Sequence, residues 1–186
     1  MKELNGKLAL ITGGSSGIGL ALAKELAARG MRIAILSRRL DALQSAGDDI
    51  LAAGAKELHV LPVDVSVWED VERNVGDFIH TIGIPDLLVN CAGVVRPGLF
   101  EELTPVLFQW MIQINLLGPI YMCKAVIPGM LERGSGHVVN VSSVAGFLGT
   151  YGYSAYGASK FGLRGFSDVL RSEYRHRGIQ VSVVFP

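Results

Sequence analysis

Tyr156 and Lys160 stand four residues apart in the sequence Tyr-Gly-Ala-Ser-Lys. On a helix, residues at this spacing project from one face as neighbours. A free phenol titrates near pH ~10, so proton exchange at neutral pH needs the phenolate stabilised by roughly 4 kcal/mol, and a cation one turn away can supply much of that. The two side chains are therefore a candidate acid–base couple, although such pairs also occur on ordinary solvated helices.

A glycine-rich segment near the start of the chain follows a short apolar run. Residues 8–12 are Leu-Ala-Leu-Ile-Thr, residues 13–19 are Gly-Gly-Ser-Ser-Gly-Ile-Gly, and apolar residues at helical spacing come next. This order predicts a buried strand, a tight turn and a helix whose free N–H groups face an anion such as a diphosphate. The glycines are spaced G-x-x-x-G-x-G rather than G-x-G-x-x-G, so a turn without a ligand is the alternative. The candidate anion-binding residues are Gly13, Ser15, Ser16, Gly17, Ile18 and Gly19.

Two arginines stand at the end of the second predicted strand, where a site for NAD would carry a carboxylate. Ser37, Arg38 and Arg39 follow the apolar residues 31–36. No carboxylate is there to accept from a ribose 2′-hydroxyl, whereas guanidinium groups suit a 2′-phosphate. These residues therefore predict a preference for NADP(H) over NAD. The alternatives are that both arginines are solvated residues at a helix start, or that a flexible turn brings Asp41 to the ribose.

The composition is that of a folded domain without a net charge. The chain has 186 residues, of which 49% are hydrophobic and 18% charged, which is enough apolar material for a sizeable core. Lys plus Arg and Asp plus Glu both number 17, so no net field attracts nucleic acid, and no nucleic-acid partner is expected. The four histidines lie apart without metal-ligand spacing, so no metal site is expected.

The cysteines and the hydropathy bear on the location of the protein. Cys91 and Cys123 are the only cysteines, they lack C-x-x-C spacing, and no secretory leader opens the sequence. A reduced, cytoplasmic location is therefore predicted. No apolar stretch approaches the ~20 residues that span a bilayer, although the mean hydropathy is +0.38. The sequence thus predicts no integral membrane segment and leaves a peripheral membrane association open.

Apolar runs typical of strands alternate with helical patterns along the whole chain. Strands are predicted at 8–12, 31–36, 58–63, 86–90, 137–141 and 180–185, and helices after the glycine turn and at 40–53, 67–82, 105–133 and 155–177. This alternation predicts an α/β fold, a three-layer, doubly wound parallel sheet that forms one domain over residues 1–186. Thr104 and Pro105 fit the N-cap and first position of the longest helix, and Pro128 is expected to kink or split it.

Several motifs, in this order, resemble those of the short-chain dehydrogenase/reductase family. They are the turn at residues 12–19, Asp64-Val65, Asn90-Cys91-Ala92-Gly93, Asn115, Ser142-Ser143 and the sequence at 156–160. The family carries asparagine where this chain has Cys91. The resemblance implies a Rossmann fold that binds NADP(H). It adds to the candidate cofactor contacts Asp64, Val65, Asn90, Ala92, Gly93, Tyr156, Lys160 and Pro186.

The family's catalytic tetrad carries over to Asn115, Ser143, Tyr156 and Lys160. The resemblance implies that Ser143 donates a hydrogen bond to the substrate oxygen, that Tyr156 passes the proton, and that Lys160 favours the phenolate and binds the nicotinamide ribose. Asn115 would hold a water molecule that links Lys160 to solvent. Ser143 is chosen over Ser142 because it lies 13 residues before Tyr156, as the family's serine does. The structural alternatives are a helix-bending role for Asn115 and a strand-capping role for Ser143.

The implied function is that of an NADP(H)-dependent oxidoreductase that interconverts a carbonyl and a secondary alcohol on a small-molecule substrate. Residues 152–156 and 159–167 are similar to those of 3-ketodihydrosphingosine reductases, the branch that acts on a long-chain keto lipid. An apolar approach to the site, which suits a lipid chain and equally suits core packing, is offered by Phe147, Leu148, Tyr151 and Tyr153. The alternative function is a non-catalytic nucleotide-binding sensor or scaffold on the same fold.

The resemblance also implies what surrounds this domain. The family continues past the position of Pro186 with a substrate-covering loop and a final strand, so the C-terminal part of the fold is expected to be missing from residues 1–186. The predicted helices at 105–133 and 155–177 resemble those of the family's dimer interface. A homodimer or homotetramer is therefore expected by analogy.

Overall fold

The structure, a computed structural model, describes residues 3–186 as a six-stranded sheet with helices on both faces. The strands are β1 (Leu8–Thr12), β2 (Arg32–Ser37), β3 (Leu58–Pro62), β4 (Leu87–Asn90), β5 (Gly136–Val141) and β6 (Ile179–Val184). The α-helices are α1 (Gly17–Ala28), α2 (Leu40–Ala52), α3 (Trp68–Thr81), α4 (Pro105–Ile112), α5 (Gly118–Arg133) and α6 (Ser154–Tyr174). Short 3₁₀ turns follow at Val144–Gly146 and Arg175–Arg177.

The strand order is β3-β2-β1-β4-β5-β6, and each neighbouring pair is parallel. The chain moves outward from β1 to β3 and then returns to β4 on the other side of β1, which confirms the predicted doubly wound fold. Thr12 pairs with Leu36 in β2 and with Asn90 in β4, and Asn90 pairs with Asn140 in β5. These strands therefore end at one edge of the sheet, next to the switch point where such folds bind ligands.

Side chains of β1 alternate between the two faces of the sheet. Leu8 and Leu10 pack in a cluster with α3, α5 and α6, whereas Ala9 and Ile11 pack with α1 and α2. All four are at most 2% exposed, as expected of a parallel sheet covered on both faces. Burying a Leu or Ile side chain contributes about 1.5–3 kcal/mol. The sheet is thus a rigid platform for the loops at its carboxyl edge.

The predicted elements agree with the observed ones to within three residues, but the longest helix differs in its interior. A π-helical segment, Gln113–Leu117, joins α4 to α5, and there the N–H of Gly118 donates to the carbonyl of Gln113. Pro119, one turn after Asn115, has no N–H to offer to the Asn115 carbonyl. The irregular turn therefore falls where Asn115 is held, which matches the helix-bending alternative for Asn115 rather than the uninterrupted helix predicted over 105–133.

Pro128 was expected to kink or split the longest helix, and the helix does not split there. α5 continues through Pro128 to Arg133. Its neighbours Val126, Ile127 and Met130 are at most 4% exposed, and this packing outweighs the one hydrogen bond that a proline removes. At the other end, Thr104 caps α4 by accepting from the N–H of Leu107 at 3.4 Å, as predicted.

By length and composition, the helix Pro105–Arg133 is able to cross a membrane, with a mean hydropathy of 1.4 over an 18-residue window. This differs from the sequence analysis, which found no apolar stretch that approaches the length needed to span a bilayer. Half of that window is buried inside the domain, and α5 contributes to the core beneath the sheet. A core helix of a soluble fold passes the same test, so length and composition are weak evidence for a membrane span.

Candidate active site

A cleft runs along the carboxyl edge of the sheet and has two ends, with volumes of about 260 and 320 Å³. The first, the arginine end, is lined by Gly13, Ser15, Ser16, Leu36, Ser37, Arg38, Arg39, Val63, Asp64, Val65, Ala92, Gly93, Val94 and Ile114. The second, the tyrosine end, is lined by Gly13, Ser16, Ile18, Gly19, Cys91, Ala92, Gly93, Val94, Val95, Val141, Ser142, Ser143, Tyr156, Lys160 and Pro186. The two ends adjoin, because they share the lining residues Gly13, Ser16, Ala92, Gly93 and Val94.

The glycine turn forms the floor between the two ends. Gly13 has φ +67° and its Cβ would lie 2.8 Å from the Cα of Ala92, so only glycine allows the two loops to touch. Gly17 has φ +53° and begins α1. Ser16 caps α1 without a side-chain hydrogen bond, and no acidic residue occupies the first turn. The N–H groups there are suited to an anion such as a diphosphate, and the cofactor contact of this turn stays a prediction.

Two glycines give opposite expectations when replaced by alanine. In α1, a Cβ on Gly19 would overlap the carbonyl oxygen of Gly13 and force the turn apart, whereas Gly76 lies exposed inside α3 with nothing within 4 Å of a Cβ. We expect Gly19→Ala to lower the free energy of unfolding by about 1–3 kcal/mol. Gly76→Ala should raise it by about 0.5–1 kcal/mol. Urea denaturation measures both, and a stabilising Gly19→Ala would contradict the close approach.

The arginine end suits a phosphate on the ribose. Arg38 and Arg39 are exposed on its wall, and neither takes part in an ion pair among residues 3–186. Ser37 donates from its hydroxyl to the carbonyl of Arg39 at 3.4 Å. Asp41 lies in the first turn of α2 and does not line the cleft. Two guanidinium groups at the end of β2, with no carboxylate beside them at positions 37–39, are a donor set that suits a 2′-phosphate.

Asp64 and Val65 line the same end, as the sequence predicted. Oδ1 of Asp64 accepts from the N–H of Ser66 at 2.9 Å and from its hydroxyl at 2.6 Å. The backbone N–H of Asp64 donates to Oδ2 of Asp70 at 2.7 Å. These bonds fix the Asp64 carboxylate at the rim of the cleft, where it can accept a hydrogen bond from a nucleotide base.

At the tyrosine end, Lys160 is buried between the sheet and the cleft and is only 4% exposed. Its ammonium donates to the carbonyl of Val141 at 2.9 Å and lies 5.7 Å from the centre of the Tyr156 ring. Burial lowers the pKa of Lys160 to about 8, and Cys91 opposes this shift. The lysine is therefore a cation held at a cost in free energy next to the phenol.

The adjacent serines use their hydroxyls differently. Ser142 is 4% exposed and donates to the carbonyl of Lys160 at 3.2 Å. Ser143 is half-buried, and its Oγ accepts from the N–H of Ala145 at 3.3 Å, which leaves its proton free to donate into the cleft. The ring of Tyr156 packs edge-on against Tyr153 at 6.0 Å between centroids. Ser143, Tyr156 and Lys160 thus come together as the sequence predicted.

Three predicted site residues do not line the cleft: Asn115, Gly17 and Asn90. The side chain of Asn90 is 1% exposed and donates to Oδ1 of Asn140 at 2.8 Å, away from the cleft, because it projects toward Cys123 on α5. Gly17 is exposed at the start of α1 beside the cleft. The side chain of Asn90 therefore ties β4 to β5, and its cofactor contact stays a prediction.

The side chain of Asn115 is completely buried. Oδ1 accepts from the N–H of Val94 at 2.8 Å, and Nδ2 donates to the Val94 carbonyl at 2.8 Å and to Oγ of Ser159 at 3.0 Å. The amide is thus engaged with protein, and Pro119 has no N–H to donate to the Asn115 backbone carbonyl. The proton-relay role of Asn115 stays a prediction.

Some of the residues lining the cleft were not singled out from the sequence: Leu36, Val63, Val94, Ile114, Val95 and Val141. Leu36 lies one residue before the end of β2, Val63 directly follows β3, and Val141 ends β5. The rule that ligands bind at the carboxyl ends of parallel strands would have found Leu36, Val63 and Val141.

The chain belongs to the short-chain dehydrogenase family, because the family model described as "short chain dehydrogenase" matches residues 7–186. It is 40% identical to the 3-ketodihydrosphingosine reductase of Bos taurus over 187 residues, which cover 98% of this chain and 56% of that protein. It is 38% identical to Carbonyl reductase family member 4 of Xenopus laevis, covering 97% of this chain and 74% of that protein.

Solved structures agree with this membership. A metagenomic short-chain oxidoreductase in complex with NADP superimposes with a TM-score of 0.93 at 33% identity, covering 98% of this chain and 82% of that one. The chain spans a little over half the length, 56%, of the 3-ketodihydrosphingosine reductases of Bos taurus and Mus musculus. The Rossmann-type fold and the family are therefore shown for residues 7–186, whereas activity is a matter for proposal.

Proposed function

We propose that this chain carries the cofactor site and the catalytic residues of an NADP(H)-dependent oxidoreductase that interconverts a carbonyl and a secondary alcohol. The observation that carries the proposal is the convergence of Ser143, Tyr156 and Lys160 at one end of a cleft whose other end presents Arg38 and Arg39. A nucleotide-binding scaffold has no need of a buried lysine beside a phenol. The relative crystallised with NADP supports the choice of cofactor.

The proposed chemistry assigns one task to each side chain. A nicotinamide dinucleotide, when bound, supplies or accepts the hydride. In the direction of reduction, the Ser143 hydroxyl donates to the carbonyl oxygen, Tyr156 passes its phenolic proton to that oxygen, and the Lys160 ammonium stabilises the phenolate that remains. The side chain of Asn115 fixes the loop at Val94, and its carbonyl offers a water molecule the path by which the proton is replaced. Oxidation of an alcohol uses the same residues in reverse.

The substrate we propose is a small carbonyl compound, with a long-chain keto lipid such as 3-ketosphinganine as the first to test. Relatives named 3-ketodihydrosphingosine reductase are 40% identical. Phe147, Leu148 and Tyr151 are exposed to 43%, 55% and 86% on the segment between Ser143 and Tyr156, and such exposed apolar side chains suit an alkyl chain. A cytoplasmic location and a homodimer or homotetramer stay predictions from the sequence.

The first experiment follows the consumption of NADPH with short ketones, β-ketoacyl thioesters and long-chain keto amines. Turnover of any of these supports the proposal, and preference for the long-chain keto amine supports the lipid substrate. Tight NADPH binding without turnover of any of them would instead favour the nucleotide-binding scaffold. The assay is made on this chain and, in parallel, on a full-length relative, because the chain spans 56% of the 3-ketodihydrosphingosine reductases that it matches.

The cofactor preference gives a separate prediction. We expect Arg38→Ala and Arg39→Ala each to weaken NADPH binding by about 10- to 100-fold, the equivalent of one charge-assisted hydrogen bond. NADH, which lacks the 2′-phosphate, should lose less than about threefold because it does not engage those hydrogen bonds. Nicotinamide fluorescence measures both dissociation constants. Arg175→Ala is the control, because Arg175 is an exposed arginine that lies outside the cleft. Equal losses for NADPH and NADH would contradict the assignment.

A further inference from the structure

Ser159, which lies between the proposed catalytic residues on α6, is completely buried and bonded on two sides. Its hydroxyl donates to the carbonyl of Tyr156 at 2.6 Å and accepts from Nδ2 of Asn115 at 3.0 Å. Asn115 in turn holds the backbone of Val94 through both its amide oxygen and its amide nitrogen. The hydroxyl therefore connects α6 to the loop after β4 through one intervening side chain.

That loop is a wall of the cleft, and it is close to the buried ammonium. A Cβ on Gly93 would lie 3.3 Å from Oδ1 of Asn115 and 3.6 Å from Nζ of Lys160. Gly93 and Val94 line both ends of the cleft. The hydrogen bond between Asn115 and Ser159 thus helps to fix the spacing between this wall and Lys160.

A second serine on α6 makes the same bonds without facing the cleft. Ser167, two turns further along, is also completely buried, donates to the carbonyl of Leu163 at 2.6 Å and accepts from Nδ2 of Asn140 at 2.8 Å. Asn140 belongs to β5 and bonds Asn90 rather than a cleft loop. Serines in helix interiors commonly bond back to the preceding turn. The two serines are therefore matched in burial and bonding and differ in what their asparagine partners hold.

We infer that Ser159 is a positioning residue for the proposed reaction, which fixes the Gly93–Val94 wall of the cleft against Tyr156 and Lys160 through the amide of Asn115. Ser167 links α6 to Asn140 in the same way but does not position a wall of the cleft. This inference rests on the proposed function. The physical basis is that loss of the Ser159 hydroxyl leaves an Asn115 N–H without its partner, so the amide and the Val94 loop are free to shift, and displacements of about 1 Å cost ~10²-fold in rate.

The test compares Ser159→Ala with Ser167→Ala. We expect both variants to lose stability to a similar extent in urea denaturation, because each removes one buried hydroxyl with two partners. Ser159→Ala should lower kcat by about 10- to 100-fold and move the pH of half-maximal kcat. Ser167→Ala should leave kcat within about twofold and the pH profile in place. Equal losses of kcat in the two variants, or an unchanged pH profile in Ser159→Ala, would overturn the inference.

A readout that needs neither cofactor nor turnover separates this inference from the proposed function. Hydrogen exchange of the Val94 amide, which donates to Asn115, should become about three- to tenfold faster in Ser159→Ala after correction for global stability, and unchanged in Ser167→Ala. If the unmodified chain reduces no carbonyl compound while Val94 responds as expected, the positioning contact stands and the proposed function fails. If Val94 exchanges alike in both variants, the positioning contact is refuted whatever the activity.

Discussion

Replacing Tyr156 by phenylalanine is expected to lower kcat by about 10²- to 10⁴-fold, because only the hydroxyl that carries the proton is lost. The ring stays in place against Tyr153 and near the ammonium of Lys160. Tyr156 is half-buried at the tyrosine end, away from the arginines that define the other end. NADPH affinity should therefore stay within about threefold. Steady-state kinetics with the best carbonyl substrate and a fluorescence titration of NADPH measure the two effects.

Tyr153→Phe is the matched control for that experiment. Tyr153 lies one turn before Tyr156, and its ring packs edge-on against the Tyr156 ring, but it does not line the cleft. Loss of its hydroxyl should change kcat by less than about threefold. Comparable activity in Tyr156→Phe and the unmodified chain would show that the phenol does not carry the proton. A large loss in both variants would point to packing of the two rings instead.

The parts of the site that follow directly from backbone geometry could be predicted from the sequence. Gly13 is fixed by its positive φ and by its approach to Ala92, and a glycine between a buried strand and a helix indicates such a position. Arg38 and Arg39 were predicted because they directly follow a buried strand. Parallel strands end at a common edge, so residues at their carboxyl ends meet even when they are far apart in the chain.

Side-chain direction at the strand ends could not be predicted in the same way. Asn90 and Cys91 are adjacent, yet Asn90 projects toward α5 and Cys91 lines the cleft. Since successive side chains of a strand face opposite sides, which of the two reaches the cleft depends on the register of β4. The register is fixed by pairing with β1 and β5, which a sequence pattern does not specify. The cofactor contact of Asn90 stays a prediction, because its side chain is engaged with Asn140 and Cys123 rather than lining the cleft.

The irregular turn around Asn115 was predicted only as the helix-bending alternative for that residue. Pro128 was expected to kink or split the helix, but its packed neighbours keep α5 continuous. The π-helical segment instead forms where Asn115 bonds Val94 and where Pro119 withholds an N–H. Both conditions involve a loop distant in sequence or a missing donor one turn later. The sequence pattern therefore identified Asn115 but did not specify the π-helical backbone that positions it.

Burial of the Lys160 ammonium lowers the free energy of unfolding at neutral pH. Lys160 is 4% exposed, and burial lowers its pKa to about 8 from the ordinary 10.5. In the unfolded chain the same amine is fully hydrated and keeps the ordinary pKa. At pH 7 both states carry the proton, so the folded protein bears the full cost of a buried charge. As the pH rises from about 8 to 10.5, the folded state releases its proton first, and the free energy of unfolding rises.

Replacing Lys160 by methionine is therefore expected to raise the free energy of unfolding at pH 7 while removing activity. The gain should be about 1–3 kcal/mol, because the shift in pKa is partly offset by the lost bond to the Val141 carbonyl. It should shrink as the pH rises above 8, since the unmodified folded protein then holds a neutral amine. kcat should fall by about 10²-fold or more, because no cation remains to stabilise the phenolate of Tyr156. Urea denaturation at pH 7 and pH 10 and steady-state kinetics provide the measurements.

The control for this variant is Lys124→Met, which alters an exposed lysine on α5 and should change stability by less than about 0.5 kcal/mol at either pH. A stabilised but inactive Lys160→Met protein would mean that the fold tolerates a costly charge for the sake of the chemistry at the phenol. If Lys160→Met were less stable than the unmodified chain by the same amount at both pH values, the ammonium would be a structural group, held by its bond to Val141, and the proposed mechanism would lose its cation.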